Sequence, residues 1–333
     1  MGSLGRREFI AFIGGAAVAW PMASRAQQPG RTRRIGWLVN LSEEEEEQQQ
    51  RNRTLITALR ELGWIVGSNL QIDYRYYAAG GVERFDMQAA ELMALAPDVL
   101  LANSTPAARA LQRATRTIPI VFALVLDPIV GGLVTSWAQP GGNITGFTNF
   151  EPSMGGKLLA LLKDLAPDTR KVALVFNPQT APYAGVLQSI EIAAPSYNIE
   201  ITRRGIADTT ELEAALVAAG REGSTALVVF PDVFTTVNRQ QIIALAAQYS
   251  LPAVYPYRYF TAGGGLMSYG VDTADIFRRT AGYLDRVLRG EKPGNLPVQG
   301  PIKFELTINL KTAKQLGLTV PLTLQATADD VIE

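Results

Sequence analysis

Asn103-Ser104-Thr105-Pro106 closes one apolar run and opens a helical one, and similar polar punctuation follows most apolar runs of the chain. Asn40 follows IGWLV, Asp127-Pro128 follows PIVFALVL, Asn177-Pro178 follows KVALVF, Asp232 follows TALVVFP, and Tyr255-Pro256-Tyr257 ends LPAVYPY. If these runs are parallel strands, their carboxyl ends are where an open α/β sheet binds a ligand. A helix starting at Pro106, with Thr105 as its N-cap, offers backbone N–H groups beside the Ser104 and Thr105 hydroxyls, a corner suited to a carboxylate. Asp127 and Asp232 can accept from an ammonium group, or serve as ordinary turn aspartates. Tyr183, Tyr255, Tyr257, Tyr259 and Phe260 can pack an apolar or aromatic side chain, or fill core and rim. Together these types suit an α-amino acid or small carboxylate spanning a cleft with two polar walls.

The same sequence excludes much other chemistry. It has no histidine and no cysteine. That removes the usual general base of Ser and Cys nucleophile systems, the commonest metal ligand, thiolate metal sites, disulfides and a lipid on an N-terminal Cys. Basic and acidic residues balance at 31 each, whereas nucleic acid calls for a basic face. GGNITG and GGGLMSYG do not match the dinucleotide fingerprint, and neither a phosphate-binding P-loop nor G-x-S-x-G occurs. No cofactor and no metal are expected, and the partner is a small molecule.

Elements able to position these residues are legible after the first 26 positions. Those open with Arg6-Arg7, an uncharged run from Phe9 to Ala23 and the exit Ser24-Arg25-Ala26, the layout of a cleaved export signal and too short to span a bilayer. The RREFI order resembles a twin-arginine address, with Gly5 where that address prefers Ser or Thr; the general export route fits the same layout. Beyond it, IGWLVN (35–40), LQIDYRYY (70–77), DVLLAN (98–103) and PIVFALV (119–125) alternate with segments of helical periodicity. A Pro, Gly and Asn stretch (137–153) breaks the rhythm. A second unit follows with KVALVFN (171–177), IEITRRGI (199–206), TALVVFPD (225–232) and LPAVYPY (251–257), then GGLMSYG (264–270) and PGNLPVQGPIKFELTIN.

This alternation predicts an α/β protein of two lobes with parallel sheets. The first lobe is read as 31–143 plus 271–297 and the second as 144–270 plus 298–333, with GGN (141–143) and SYG (268–270) as hinge material. The run SEEEEEQQQ (42–50) reads as a solvated helix start capped by Ser42, each first-turn glutamate worth ~0.3–1 kcal/mol against the helix dipole. The alternative is that Glu43 or Glu44 points into the cleft and meets a cationic group.

RRIGWLV, APDVLLA, TPAARALQRATRTIPIVF, PGGNITGFTNFEPSMGGKLLALLKDLAP, FNPQTAPYAG, PAVYPYRYF, GGLMSYGVD and GEKPGNLPVQGPIKFELTINLKTAKQLGLTVP resemble the ABC-transporter substrate-binding protein family whose better-known members bind tryptophan or tyrosine. The resemblance covers nearly the whole chain. It implies a type I periplasmic binding protein: two Rossmann-like lobes joined by three hinge strands, a ligand clamped between them, and delivery to an ABC permease and its ATPase. By position it implies that Ser104 and Thr105 meet the ligand carboxylate and that Asn177, Tyr183 and Asp232 face it from the second lobe. Asp127 falls in the family's Asp-Pro turn, and Asn40 and Tyr257 are strand-end candidates. The glutamate run departs from the family's first loop.

Two other readings fit less well. A LacI-like regulator or ligand sensor shares the fold but needs a helix-turn-helix ahead of the first lobe. A secreted enzyme using Asp and Lys lacks any paired-carboxylate or phosphate-loop spacing. The expected molecule is therefore a monomer, exported, free in the periplasm and not a lipoprotein. N-terminal sequencing of exported material is expected to begin at Gln27; material still reading Met1 or Gly2 contradicts the cleaved signal.

Overall fold

Runs of apolar, β-branched residues become central strands here because helices cover both faces of each sheet, so no position in them alternates towards water. The computed structural model describes residues 31–76, 84–151 and 153–333. The export signal read over 1–26 lies outside the described residues, as does Tyr77.

The first sheet is built from β1 (Arg33–Leu38), β2 (Leu70–Arg75), β3 (Val99–Asn103), β4 (Ile120–Val125) and β5 (Ile144–Thr148), in the order β2-β1-β3-β4-β5 and all parallel. Helices α1 (Glu46–Glu61), α2 (Arg84–Ala94) and α3 (Thr105–Ala114) connect its first four strands. Every residue of β3, β4 and β5 is buried.

The second unit runs α4 (Met154–Leu165), β6 (Lys171–Phe176), α5 (Ala184–Ala193), β7 (Glu200–Gly205), α6 (Thr209–Arg221), β8 (Thr225–Val229), α7 (Val233–Val237) and α8 (Arg239–Gln248). It continues with β9 (Ala253–Tyr255), α9 (Arg258–Ala262), β10 (Met267–Val271), α10 (Thr273–Leu288), β11 (Phe304–Asn309), α11 (Leu310–Gln315), α12 (Leu322–Thr327) and β12 (Asp330–Ile332). Its sheet has the order β12-β11-β10-β9-β8-β6-β7.

Two departures from the sequence reading have topological causes. The strand after GGN, β5, stays in the first sheet beside β4, so the change of sheet falls after Thr148 and not at 143. GGN therefore leads into a strand of the first sheet and is not a crossing. In addition, β11 runs antiparallel to β10. The chain leaves β10 at its carboxyl end, passes through α10, which packs on α1, β4 and β5, and re-enters from that same end. A strand entering there must run the opposite way.

Among the described residues the chain passes between the sheets three times: after β5, after β10, and between Leu296 and β11. The returning segment lies along β5, with Gln299 N–H donating to Gly146 O at 3.0 Å and Thr148 N–H donating to Gln299 O at 2.9 Å. One apolar cluster runs from Ile35, Trp37 and Leu55 through Phe277 to Val175 and Leu227, so core residues of both sheets belong to one packed body.

Ser268-Tyr269-Gly270 lies inside β10 and is not a flexible joint. Gly270 is there for want of space: a Cβ would sit 1.7 Å from the Pro256 carbonyl oxygen. Gly270→Ala forces that backbone apart, costing about 1–3 kcal/mol, and is expected to lower the melting temperature by several degrees. Gly282→Ala in α10, where a Cβ meets nothing within 4 Å, is the control and is expected to leave it unchanged or raise it.

Candidate functional site

The carboxyl ends of both sheets face one another across a narrow cleft. One wall is Asn40, Arg51, Ser104, Thr105, Pro106 and Leu124; Asn149 sits at the crossing; the other wall is Thr180, Ala181, Pro231, Asp232, Val233, Thr236, Tyr257 and Tyr259. The space between them is about 20 Å³, room for the centre of roughly one water. Anything larger enters only if the walls separate.

On the first wall, helix α3 starts one residue earlier than its Pro suggests. Ser104 is the N-cap, its Oγ accepting from Ala107 N–H at 3.3 Å, and Thr105 is the first helical residue. Thr105 Oγ1 accepts from Leu126 N–H at 3.3 Å. Among the described residues neither hydroxyl donates to a protein acceptor, and both line the cleft. Leu124 reaches the cleft through a bulge, since the β4–β5 register shifts between Phe122 and Val125 and Leu124 takes a φ of +56°. That left-handed conformation costs a leucine about 1–2 kcal/mol.

Behind this wall lies a continuous buried polar chain. Trp37 Nε1 donates to Asn103 Oδ1 at 3.2 Å, and Asn103 Nδ2 donates to Asn40 Oδ1 at 2.7 Å. Arg51 Nη1 reaches the same oxygen at 3.5 Å, while Arg51 Nε donates to Glu47 Oε1 at 3.1 Å. Thr273 Oγ1 closes the chain on Glu47 Oε1 at 2.8 Å. Arg51 is 2% exposed. Burial alone lowers its basicity, but Glu47 and the nearby Tyr259 and Tyr257 outweigh that and raise it.

Sequence reading missed Arg51 and misplaced the glutamates. Helix α1 is capped at Glu45, not Ser42, and Glu43 and Glu44 are exposed. Glu47 is buried on Arg51, and Glu45 reaches across to Arg239 of the opposite wall at 2.6 Å. A signal was available: the buried stripe Leu55, Ala58 and Leu59 extended back by fours gives Arg51 and then Glu47.

On the second wall Asp232 is the centre. It is the N-cap of α7, its Oδ1 accepting from Thr235 N–H at 2.7 Å, while Oδ2 accepts from Asn177 N–H at 3.1 Å and Tyr183 Oη at 2.9 Å. Burial pushes its carboxyl up to about 6 against the pull of these hydrogen bonds. Burial, with the neighbouring Asp232 charge, pushes the Tyr183 phenol well above its ordinary range. Tyr257 Oη accepts from Asn149 Nδ2 at 3.0 Å and, among the described residues, donates to none; burial raises its phenol to about 12.

Five of the predicted site residues thus line the cleft: Asn40, Ser104, Thr105, Asp232 and Tyr257. Asn177 and Tyr183 stand behind Asp232 and orient it. Asp127 is a turn aspartate, its Oδ1 accepting from the N–H groups of Ile129 and Val130 at 3.2 and 3.1 Å. Arg51, Leu124, Asn149, Thr180 and Thr236 are added by the fold.

Two α/β lobes, sheets with their carboxyl ends facing, three crossings and a polar cleft between define a two-lobed ligand-binding protein of the type I periplasmic kind. The family described as ABC transporter substrate binding protein matches residues 42–332, and the chain belongs to it. It is 27% identical over 264 residues to a tyrosine-binding protein of Clostridioides difficile, covering 79% of this chain and 75% of that one. A conserved domain protein of Vibrio cholerae superposes with a TM-score of 0.83 at 28% identity, over 90% of this chain and 100% of that chain. A domain from Streptococcus pneumonia solved with L-Trp gives the same TM-score and the same coverage at 23% identity, a likeness of fold. Among the described residues no acidic cluster is arranged to hold a metal ion, and no helix is long and apolar enough to cross a membrane.

Arg51→Met alone leaves Glu47 buried without its cation, a loss of about 3–5 kcal/mol. Adding Glu47→Gln is expected to recover most of it. Denaturant midpoints of the two single variants and the double variant test this; additive losses mean that the pair is not coupled.

Proposed function

We propose that this protein is the extracytoplasmic solute-binding component of an ABC importer, exported by its N-terminal signal, and that it clamps an α-amino acid and delivers it to a permease and its ATPase. The observation that carries the reading is Asp232: a nearly buried carboxylate lining one wall of the cleft, opposite the hydroxyls of Ser104 and Thr105 on the other. A carboxylate accepts from an ammonium group, whereas hydroxyls at a helix start donate to a carboxylate. An amino acid satisfies both walls at once. The tyrosine-binding name of one relative and the L-Trp of one structural neighbour favour an aromatic side chain, and Tyr257, Tyr259 and Leu124 of the cleft lining are apolar enough to pack against one.

Micromolar affinity needs about 8 kcal/mol. A hydrogen bond to a charged group supplies ~1.5–3 kcal/mol, so burial of the ligand side chain must supply much of the rest. Opening of the cleft precedes entry, and the Glu45–Arg239 pair is one of the contacts that must part.

The test is calorimetry of the mature protein with aromatic amino acids. Asp232→Asn keeps an N-cap oxygen for α7 and is expected to fold like the parent while losing at least about a hundredfold in affinity. The pH dependence carries the same sign. With the free-protein carboxyl near pH 6, its charged form predominates above that value, so parent affinity is expected to be flat between pH 7 and 8. Below pH 6 it is expected to fall towards tenfold per unit, because the ligand must displace a proton. Parent-like affinity in Asp232→Asn overturns Asp232 as the ammonium partner.

A further inference from the structure

The first wall holds more hydrogen-bond donors than it has acceptors for. Arg51 carries five N–H donors. Its Nε is taken by Glu47 and one Nη1 proton by Asn40. Among the described residues nothing accepts from Nη2, although the side chain is 2% exposed and lines the cleft. Asn40 deepens the imbalance. Its Oδ1 accepts from both Asn103 and Arg51, and its Nδ2 has no acceptor among the described residues. These donors open onto the cleft, where water satisfies them until a ligand acceptor takes its place.

The ends of the ligand are assigned to Asp232 and to the hydroxyls of Ser104 and Thr105; Arg51 and Asn40 line the same wall as those hydroxyls and, among the described residues, hydrogen-bond to Glu47 and Asn103 instead. Arg51, Tyr257 and Asp232 all line the cleft, and among the described residues Arg51 pairs with Glu47 and not with Asp232. An ammonium group on Asp232 has its own carboxylate one carbon away, held by the nearby hydroxyls. With both ends so assigned, the part of the ligand left to meet Arg51 and Asn40 is its side chain.

We infer that Arg51, with Asn40, is a specificity-determining residue that receives an oxygen acceptor at the end of the ligand side chain. The inference rests on the amino-acid reading above and narrows it. A phenol hydroxyl or a side-chain carboxylate completes the corner. A phenyl ring leaves it unsatisfied, and an indole N–H confronts donor with donor. Sites built to hydrogen-bond a substrate oxygen reject analogues that lack it far more strongly than apolar pockets reject an added hydroxyl.

The experiment measures binding of tyrosine, glutamate, phenylalanine and tryptophan to the parent and to the Glu47→Gln/Arg51→Met double variant, which leaves no buried charge unpaired. In the parent, tyrosine or glutamate is expected to bind at least about a hundredfold more tightly than phenylalanine and tryptophan, and which of the two oxygen-bearing ligands wins identifies hydroxyl or carboxylate. In the double variant that ratio is expected to fall below about tenfold. Equal parent affinity for tyrosine and phenylalanine, with no preference for glutamate, overturns the inference, as does a ratio unchanged in the double variant. A parallel pair, 4-hydroxyphenylpropionate and phenylpropionate, separates the two readings. If the amino acids fail to bind while this pair keeps the oxygen preference, the ammonium site is wrong and the Arg51 corner stands. If neither set shows the preference, the Arg51 corner is wrong.

Discussion

Two buried charges of opposite sign, Arg51 on one wall and Asp232 on the other, set the terms for the rest of this cleft. Charge in a poorly hydrated site persists only where hydrogen bonds replace water. Each wall does this with its own network: Glu47, Asn40, Asn103 and Trp37 behind the guanidinium, and Thr235, Asn177 and Tyr183 around the carboxylate. Neither network closes completely on itself. The valences that remain face the space between the lobes.

Sheet direction makes the opposition possible. Parallel strands deliver all their carboxyl ends to one edge, and two such sheets set edge to edge bring Asn40 and Ser104 opposite Asp232 and Tyr257. The crossings after β5 and before β11 run side by side, so the lobes stay joined by hydrogen-bonded backbone while the cleft itself is lined by side chains. Glu45 and Arg239 add a contact at the mouth. Its two partners lie 194 positions apart in the chain, and it exists only when the walls are close.

That polar strand ends gather at one place was legible, and five of the eight candidates line the cleft between the sheets. The other three show what pattern cannot supply. Asn177, Tyr183 and Asp127 have the right residue types at the right kind of position, but hydrogen bonds to neighbouring backbone or to Asp232 use them up. Asp232 both caps α7 and lines the cleft, so its role as a turn aspartate does not remove it from the candidates. Helix α1 shows the reverse failure. A run of five glutamates followed by polar residues looks solvated, yet burial of its Glu47 and Arg51 follows from the register of Leu55 and Leu59 on the same face.

The sequence by itself determined the α/β class, the positions of nearly all strands, the two successive units and the exclusion of histidine and cysteine chemistry. These follow from local periodicity and from residue types simply present or missing. The tertiary structure decided which sheet takes Ile144–Thr148, why Phe304–Asn309 runs backwards, and which polar groups face the cleft and which are spent within a wall. The physical reason is that hydrogen-bond satisfaction is a property of neighbours brought together by folding. Thr273 on Glu47, 226 positions apart, and Tyr183 on Asp232, 49 apart, are contacts that no local window of sequence contains.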